Sequence, residues 1–127
     1  MKRPKKSKTS TKRKMSEMIS EMARGFLGVG DTIGERQNRL NAACTAWNMA
    51  CGSPEVRQRQ FEQYTEGFLR FNPATSPSDL ANIRKDMELL IERKLQMFPE
   101  DQRQIVGGRV VMVGTEYRIE VASATLH

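Results

Sequence analysis

The apolar positions along the chain fall into runs whose spacing changes only once, near the C-terminus. In KMSEMISEMARGFLGVG, Met15, Met18, Ile19, Met22, Ala23, Phe26 and Leu27 recur at i, i+3, i+4, i+7, i+8, i+11 and i+12. That period predicts an amphipathic helix over about 15–27, stopped by Gly28 and Gly30. A second helix is expected over about 32–51, with Ile33, Leu40, Ala43, Cys44, Trp47, Ala50 and Cys51 on one stripe. Thr32 and Glu35 stand at capping-box spacing at its start, and Gly52 ends it. A third is expected over about 54–71. Ser53 caps it, Pro54 sits in its first turn, and Val56, Phe61, Tyr64, Phe68, Leu69 and Phe71 form an aromatic-rich stripe expected in the core. Asn72-Pro73 closes it. The fourth, about 79–98, carries Leu80, Ile83, Met87, Leu90, Ile91, Leu95 and Phe98, with Ser78 or Asp79 as cap and Pro99 as stop.

The period then shifts to two. IVGGRVVMV is rich in β-branched residues. In YRIEVA, Tyr117, Ile119 and Val121 alternate with Arg118, Glu120 and Ala122. Around Gly114-Thr115-Glu116 these runs predict a β-hairpin over about 105–122. A lone hairpin is marginal in water and exposes strand edges. It must pack on the helices or pair with another chain. The expected fold is therefore mainly α: a small four-helix domain over 15–127 ending in a hairpin, preceded by a disordered basic arm over 1–14.

Charge separates that arm from the rest. Of the first fourteen residues, eight are cationic (Lys2, Arg3, Lys5, Lys6, Lys8, Lys12, Arg13, Lys14) and none is acidic. The remaining 113 residues hold 13 Lys+Arg against 15 Asp+Glu, so the net +6 belongs to the arm. The arm's cations are mostly Lys and the body's mostly Arg. Lys on a free segment acts as a hydrated point charge; Arg suits planar, paired contacts on a folded surface. Self-repulsion keeps such an arm open. A polyphosphate reverses the sign of that effect through counterion release. If every arm cation met a phosphate, the salt slope on duplex DNA would reach about −7. With no aromatic residue in it, the arm supplies affinity and little base choice. KRPKKSKTSTKRK also has the composition of a nuclear import sequence.

Other candidate chemistry is sparse. GVGDTIG lies after a helix, lacks a following Gly-Lys-Ser/Thr, and puts Asp31 where a phosphate would sit, so it reads as helix stop and helix start. Cys44 and Cys51 are about 10.5 Å apart on one helix, too far for a disulfide with each other. The single histidine, His127, is terminal. A zinc site would lack ligands and a thiol nucleophile would lack a base. Glu17/Glu21, Glu62/Glu66 and Glu88/Glu92 share helix faces, but a di-metal carboxylate bundle would also want histidines. No cofactor, metal, small-molecule substrate or membrane span is expected, and the N-terminus lacks the apolar core of a secretory signal. Two cysteines without a disulfide pattern fit a reducing cytoplasm.

These readings converge on a non-enzymatic nucleic-acid-associated protein. Its eight arm cations contact phosphate backbone of DNA or RNA, and its helical body serves assembly. The alternative is an accessory subunit, adaptor or inhibitor that docks on a protein complex through helix 1 and the hairpin. There, Met15, Met18 and Met22 supply a flexible partner-binding stripe. A protein partner or homodimer is expected in either case.

Overall fold

A computed structural model of the chain describes residues 13–28, 30 and 32–124. The elements run α1 (Met15–Met22), α2 (Ile33–Ala50), α3 (Pro54–Phe71), α4 (Pro77–Met97), β1 (Gln104–Val113) and β2 (Glu116–Ala124). Among the described residues this is the expected order of four helices and an antiparallel hairpin. Helix α2 is central, and the other helices and the hairpin pack around it. Leu40, Ala43, Ala46, Trp47, Met49 and Ala50 are all buried on it. That set covers more than one face, because α2 has neighbours on several sides. Ile33, expected in the stripe, is exposed at the helix start.

Several boundaries differ from the sequence pattern, each for a local reason. Helix α1 ends at Met22, and residues 23–28 form turns. Gly25 adopts φ +86°, a left-handed conformation that glycine takes without penalty. Arg93 Nη1 donates to the carbonyls of Met22 (3.1 Å) and Arg24 (3.0 Å), satisfying groups the ended helix leaves over. Phe26 and Leu27 keep their apolar contacts from the turns. At α2 the capping box forms as spaced: Thr32 and Glu35 exchange side-chain and backbone bonds. Helix α4 starts two residues early, at Pro77, with Ser76 accepting from the Asp79 N–H. Proline fits the first turn because its missing N–H is not needed there.

The inward face of α4 is Met87, Leu90, Ile91 and Lys94. Lys94 is fully buried, while Leu95 turns partly outward. The Lys94 ammonium donates to the Asp101 carbonyl (2.6 Å) and lies 4.9 Å from the Trp47 ring centroid. Trp47 is fully buried too, stacks at a tilt on Phe98 (5.8 Å), and donates from Nε1 to the Arg103 carbonyl (2.8 Å). The aromatic stripe of α3 is less buried than expected. Phe61 is in the core, Tyr64 is half-buried, and Phe71 at the helix end is 83% exposed. Of α3 only Phe61 and Thr65 are buried, so the stripe outruns its support.

The hairpin turns at Gly114-Thr115, where Gly114 takes φ +66°. Ile105 pairs with Ser123 and Gly107 with Ala122, leaving Val106 as an extra, bulged residue. Five residues separate Ile105 from Val110, which in a regular strand would put them on opposite faces. The bulge resets the alternation, and both become buried. Tyr117, Ile119 and Val121 pack against the core while Arg118, Glu120 and Ala122 face solvent, as their alternation implied.

Helix α2 supplies the outer edge of β1 with side chains in place of a strand. Asn48 Nδ2 donates to the Ile105 carbonyl (2.9 Å), and Asn48 Oδ1 accepts from the Ile105 N–H (2.8 Å). Gln37 Nε2 donates to the Gly108 carbonyl (3.0 Å), and Gln37 Oε1 accepts from the Val110 N–H (2.8 Å). Gly108 lets the strand come this close: a Cβ there would stand 3.2 Å from Cys44 Sγ and 3.4 Å from Leu40 Cδ2. Replacing Asn48 with Ala leaves both backbone groups of buried Ile105 unmet. The expected cost is about 2 kcal/mol, read in urea unfolding as a lower midpoint with an unchanged m-value.

Candidate nucleic-acid interface

Arg13 and Lys14 are the only arm cations among the described residues; Lys2, Arg3, Lys5, Lys6, Lys8 and Lys12 lie outside them. The two behave differently. Arg13 is tied to the body: its guanidinium pairs with Glu21, one turn beyond the middle of α1, and stands 5.9 Å from the Phe98 ring centroid. Lys14 is exposed and provides the backbone carbonyl that starts α1, accepting from the N–H groups of Glu17 and Met18. Position 13 is therefore anchored on the body.

The cations of the body are largely spent on its own scaffold. Arg36 Nε donates to the Gly30 carbonyl (3.0 Å) and its guanidinium lies 4.1 Å from the Tyr117 ring centroid. Arg39 donates to the Phe26 carbonyl (3.3 Å) and covers that ring at 4.7 Å. With Arg93, these two pin the turns that lead from α1 to α2. Arg57 donates to the carbonyls of Ala50 and Gly52 at the end of α2. Arg84 bonds Thr65 and approaches Glu62 at 3.7 Å, linking α4 to α3. Arg109 pairs with Glu120 across the hairpin at 2.8 Å.

The most buried charges sit where α2, α4 and the approach to β1 meet. Arg103 grips Asp101 with two bonds, Nη2 to Oδ2 (2.6 Å) and Nε to Oδ1 (3.0 Å). Burial works against ionised Asp101, but its bonds from Arg103 outweigh that and hold the carboxyl below its ordinary range. Desolvation pulls the Lys94 ammonium below its ordinary value. Cys51 Sγ stands beside the carbonyls of Asp101 (3.8 Å) and Arg103 (3.7 Å), and burial raises its thiol. Among the described residues no group of His, Cys, Asp and Glu has a metal-binding arrangement. The cluster is a structural knot: each charge faces a fixed backbone or side-chain partner.

Among the described residues, two of the open grooves bear on binding. One, of about 610 Å³, runs between α1 and β2, and its lining includes Arg24, Arg36 and Arg118 together with Glu17 and Glu21. Its charges nearly cancel, which suits a polyanion poorly. The other, of about 680 Å³, separates α3 from α4 over Phe61, Ile91 and Leu95. The methionine stripe expected to meet a partner is elsewhere: Met15, Met18 and Met22 are buried under α1 against the core. Their side chains offer no surface in this conformation, because α1 has no other apolar face with which to pack. Sequence reasoning missed Lys94 and the Gln37 and Asn48 carboxamides. Only the i, i+3, i+4, i+7 position of Lys94 after Met87 hinted at its burial.

Compared with known proteins, the chain matches no family model, no curated protein and no solved structure. Among the described residues no helix is long and apolar enough to cross a membrane.

Burial pushes the Cys44 thiol up to about 11. A folded pKa above the unfolded one means the folded chain keeps its proton as the unfolded chain loses it. Stability from this group is therefore present below the ordinary thiol pKa of 9.0 and lost as pH rises toward about 11. At pH 8 the same shift cuts thiolate by roughly 100-fold. Iodoacetamide followed by mass spectrometry should alkylate Cys44 about that much more slowly in the folded chain than in urea.

Proposed function

We propose that this protein is a non-enzymatic nucleic-acid-associated protein whose N-terminal segment binds phosphate backbone while the folded body acts as its carrier. The observation that supports this most is the division of cations. Seven of the eleven body arginines (Arg36, Arg39, Arg57, Arg84, Arg93, Arg103 and Arg109) are engaged on carbonyls, carboxylates, a hydroxyl or rings, and the body carries more carboxylates than cations, whereas the segment ahead of Arg13 holds six cations and no carboxylate of its own. Lys14, exposed at the foot of α1, extends that charge onto the body. Contacts of this kind are electrostatic and blind to base identity. The anchored Arg13 sets where the bound backbone meets the body, next to the first turn of α1. An accessory role on a protein complex remains the second reading, favoured only by the hairpin, since the α1 methionines are covered.

Fluorescence anisotropy with duplex DNA, single-stranded DNA and RNA over a salt series tests this. The full chain is compared with one in which Lys2, Arg3, Lys5, Lys6, Lys8 and Lys12 are all replaced by Gln, leaving Arg13 and its Glu21 contact intact. The full chain should bind with a log–log salt slope of up to about −7 on duplex DNA, and the substituted chain should lose about five units of that slope. Equal binding by both chains, or none by the full chain at low salt, would overturn the assignment.

A further inference from the structure

Among the described residues, the hairpin has one edge covered, and Ile119 and Val121 leave the other open. Gly108 and Val110 turn their backbone groups toward Gln37 of α2, hence away from β2. In an antiparallel ladder, the residues opposite such positions also point their N–H and C=O outward. Those opposites are Val121 and Ile119. Among the described residues, the outward backbone groups of Ile119 and Val121 have no hydrogen-bond partner. The groove between α1 and β2 runs beside this edge, with the small side chains Ser16 and Ser20 on its far wall. An unpaired edge with room beside it is a template for another strand.

The side chains of β2 say which strand fits. Arg118 and Glu120 flank Ile119 on the solvent face. If β2 meets a second β2 running antiparallel, with the two Ile119 residues opposed, Arg118 lies opposite the partner's Glu120 and Glu120 opposite the partner's Arg118. Sliding the strands by two residues, the smallest step that keeps outward groups facing, opposes Arg118 to its own copy in one direction and Glu120 to its own copy in the other. Like charges directly opposed are unfavourable and opposite charges favourable. Glu120 is already held by Arg109 of its own β1 at 2.8 Å. The row across the joined sheet would then read Arg109, Glu120, the partner's Arg118 and the partner's Val111, its three charges alternating in sign. We infer that the free edge of β2 is a self-pairing interface that joins two copies of this chain, across a twofold axis at Ile119, into one four-stranded antiparallel sheet. The interface is isologous, each copy presenting the same patch. It uses none of the arm cations and stands or falls separately from nucleic-acid binding.

Sedimentation velocity on the full chain tests it at about 100 µM, a concentration that populates even a weak dimer. The expected mass is twice that of one chain. Arg118→Glu sets like charges across the axis and should weaken the dimer by about tenfold; the combined reversal Arg109→Glu, Arg118→Glu, Glu120→Arg rebuilds the alternating row and should recover it. Val121→Pro removes an outward N–H at an edge position, where proline is tolerated, and should give a folded monomer by circular dichroism. Mixing Arg118→Cys and Glu120→Cys chains under oxidation should yield a disulfide-linked pair far faster than Arg118→Cys chains alone. A monomeric full chain at that concentration overturns the proposal. So does a dimer that survives Val121→Pro with charge reversals of no effect, since it would use another surface.

Discussion

The docking of β1 against α2 through two carboxamides is the constraint on which the remaining structure depends. A helix cannot offer a ladder of backbone groups to a strand, since its own N–H and C=O are spent internally. Asn48 and Gln37 solve this by acting as short pieces of neighbouring strand, each both donating and accepting. Their separation of eleven residues spans about 16 Å of helix, and the strand from Ile105 to Val110 covers a comparable length. The glycine at 108 brings the two elements close enough for the bonds, and the bulge at Val106 aligns Ile105 and Val110 to the same buried face. Each of these features helps to fix the place of the hairpin on the helices.

A second polar junction, beside Asn48, locks the C-terminal end of α2. Trp47, Lys94 and the 101–103 segment share backbone carbonyls as acceptors, so the chain leaving α4 is held before β1 begins. Burying an ammonium is costly unless it is hydrogen-bonded. Here a short bond to the Asp101 carbonyl and the face of Trp47 provide that compensation. The arginines follow the same logic at the surface, with their planar heads spent on turn carbonyls and rings. Many of the body's cations are thus tied to its own scaffold, while the N-terminal segment carries cations with no carboxylate of its own.

Pairing of β2 edges would place two bodies side by side with their α1 helices on the same side of the joined sheet. Two basic segments would then belong to one particle. Binding by linked weak contacts gains from effective concentration. Assembly through the hairpin and affinity through the arm would thus act together while using separate residues.

The sequence by itself determined the order and type of the elements, because helical and strand periods are properties of consecutive residues. Its signals were strongest where chemistry is local: the Thr32–Glu35 box, Pro54 after Ser53, the Tyr117–Val121 alternation, and the lysine-dense start of the chain. It misplaced what depends on distant neighbours. The end of α1 at Met22 follows from Arg93, which is 71 residues away, together with a left-handed Gly25. The methionine stripe reads equally as core or as interface until the fold covers it. The α3 aromatics have a helical period whether or not anything lies over Phe71. Lys94, Gln37 and Asn48 look like ordinary surface residues, since a polar side chain carries no mark of the backbone group it will meet. Only the tertiary structure decided which strand edge is closed and which is open, because that depends on where a central helix comes to lie.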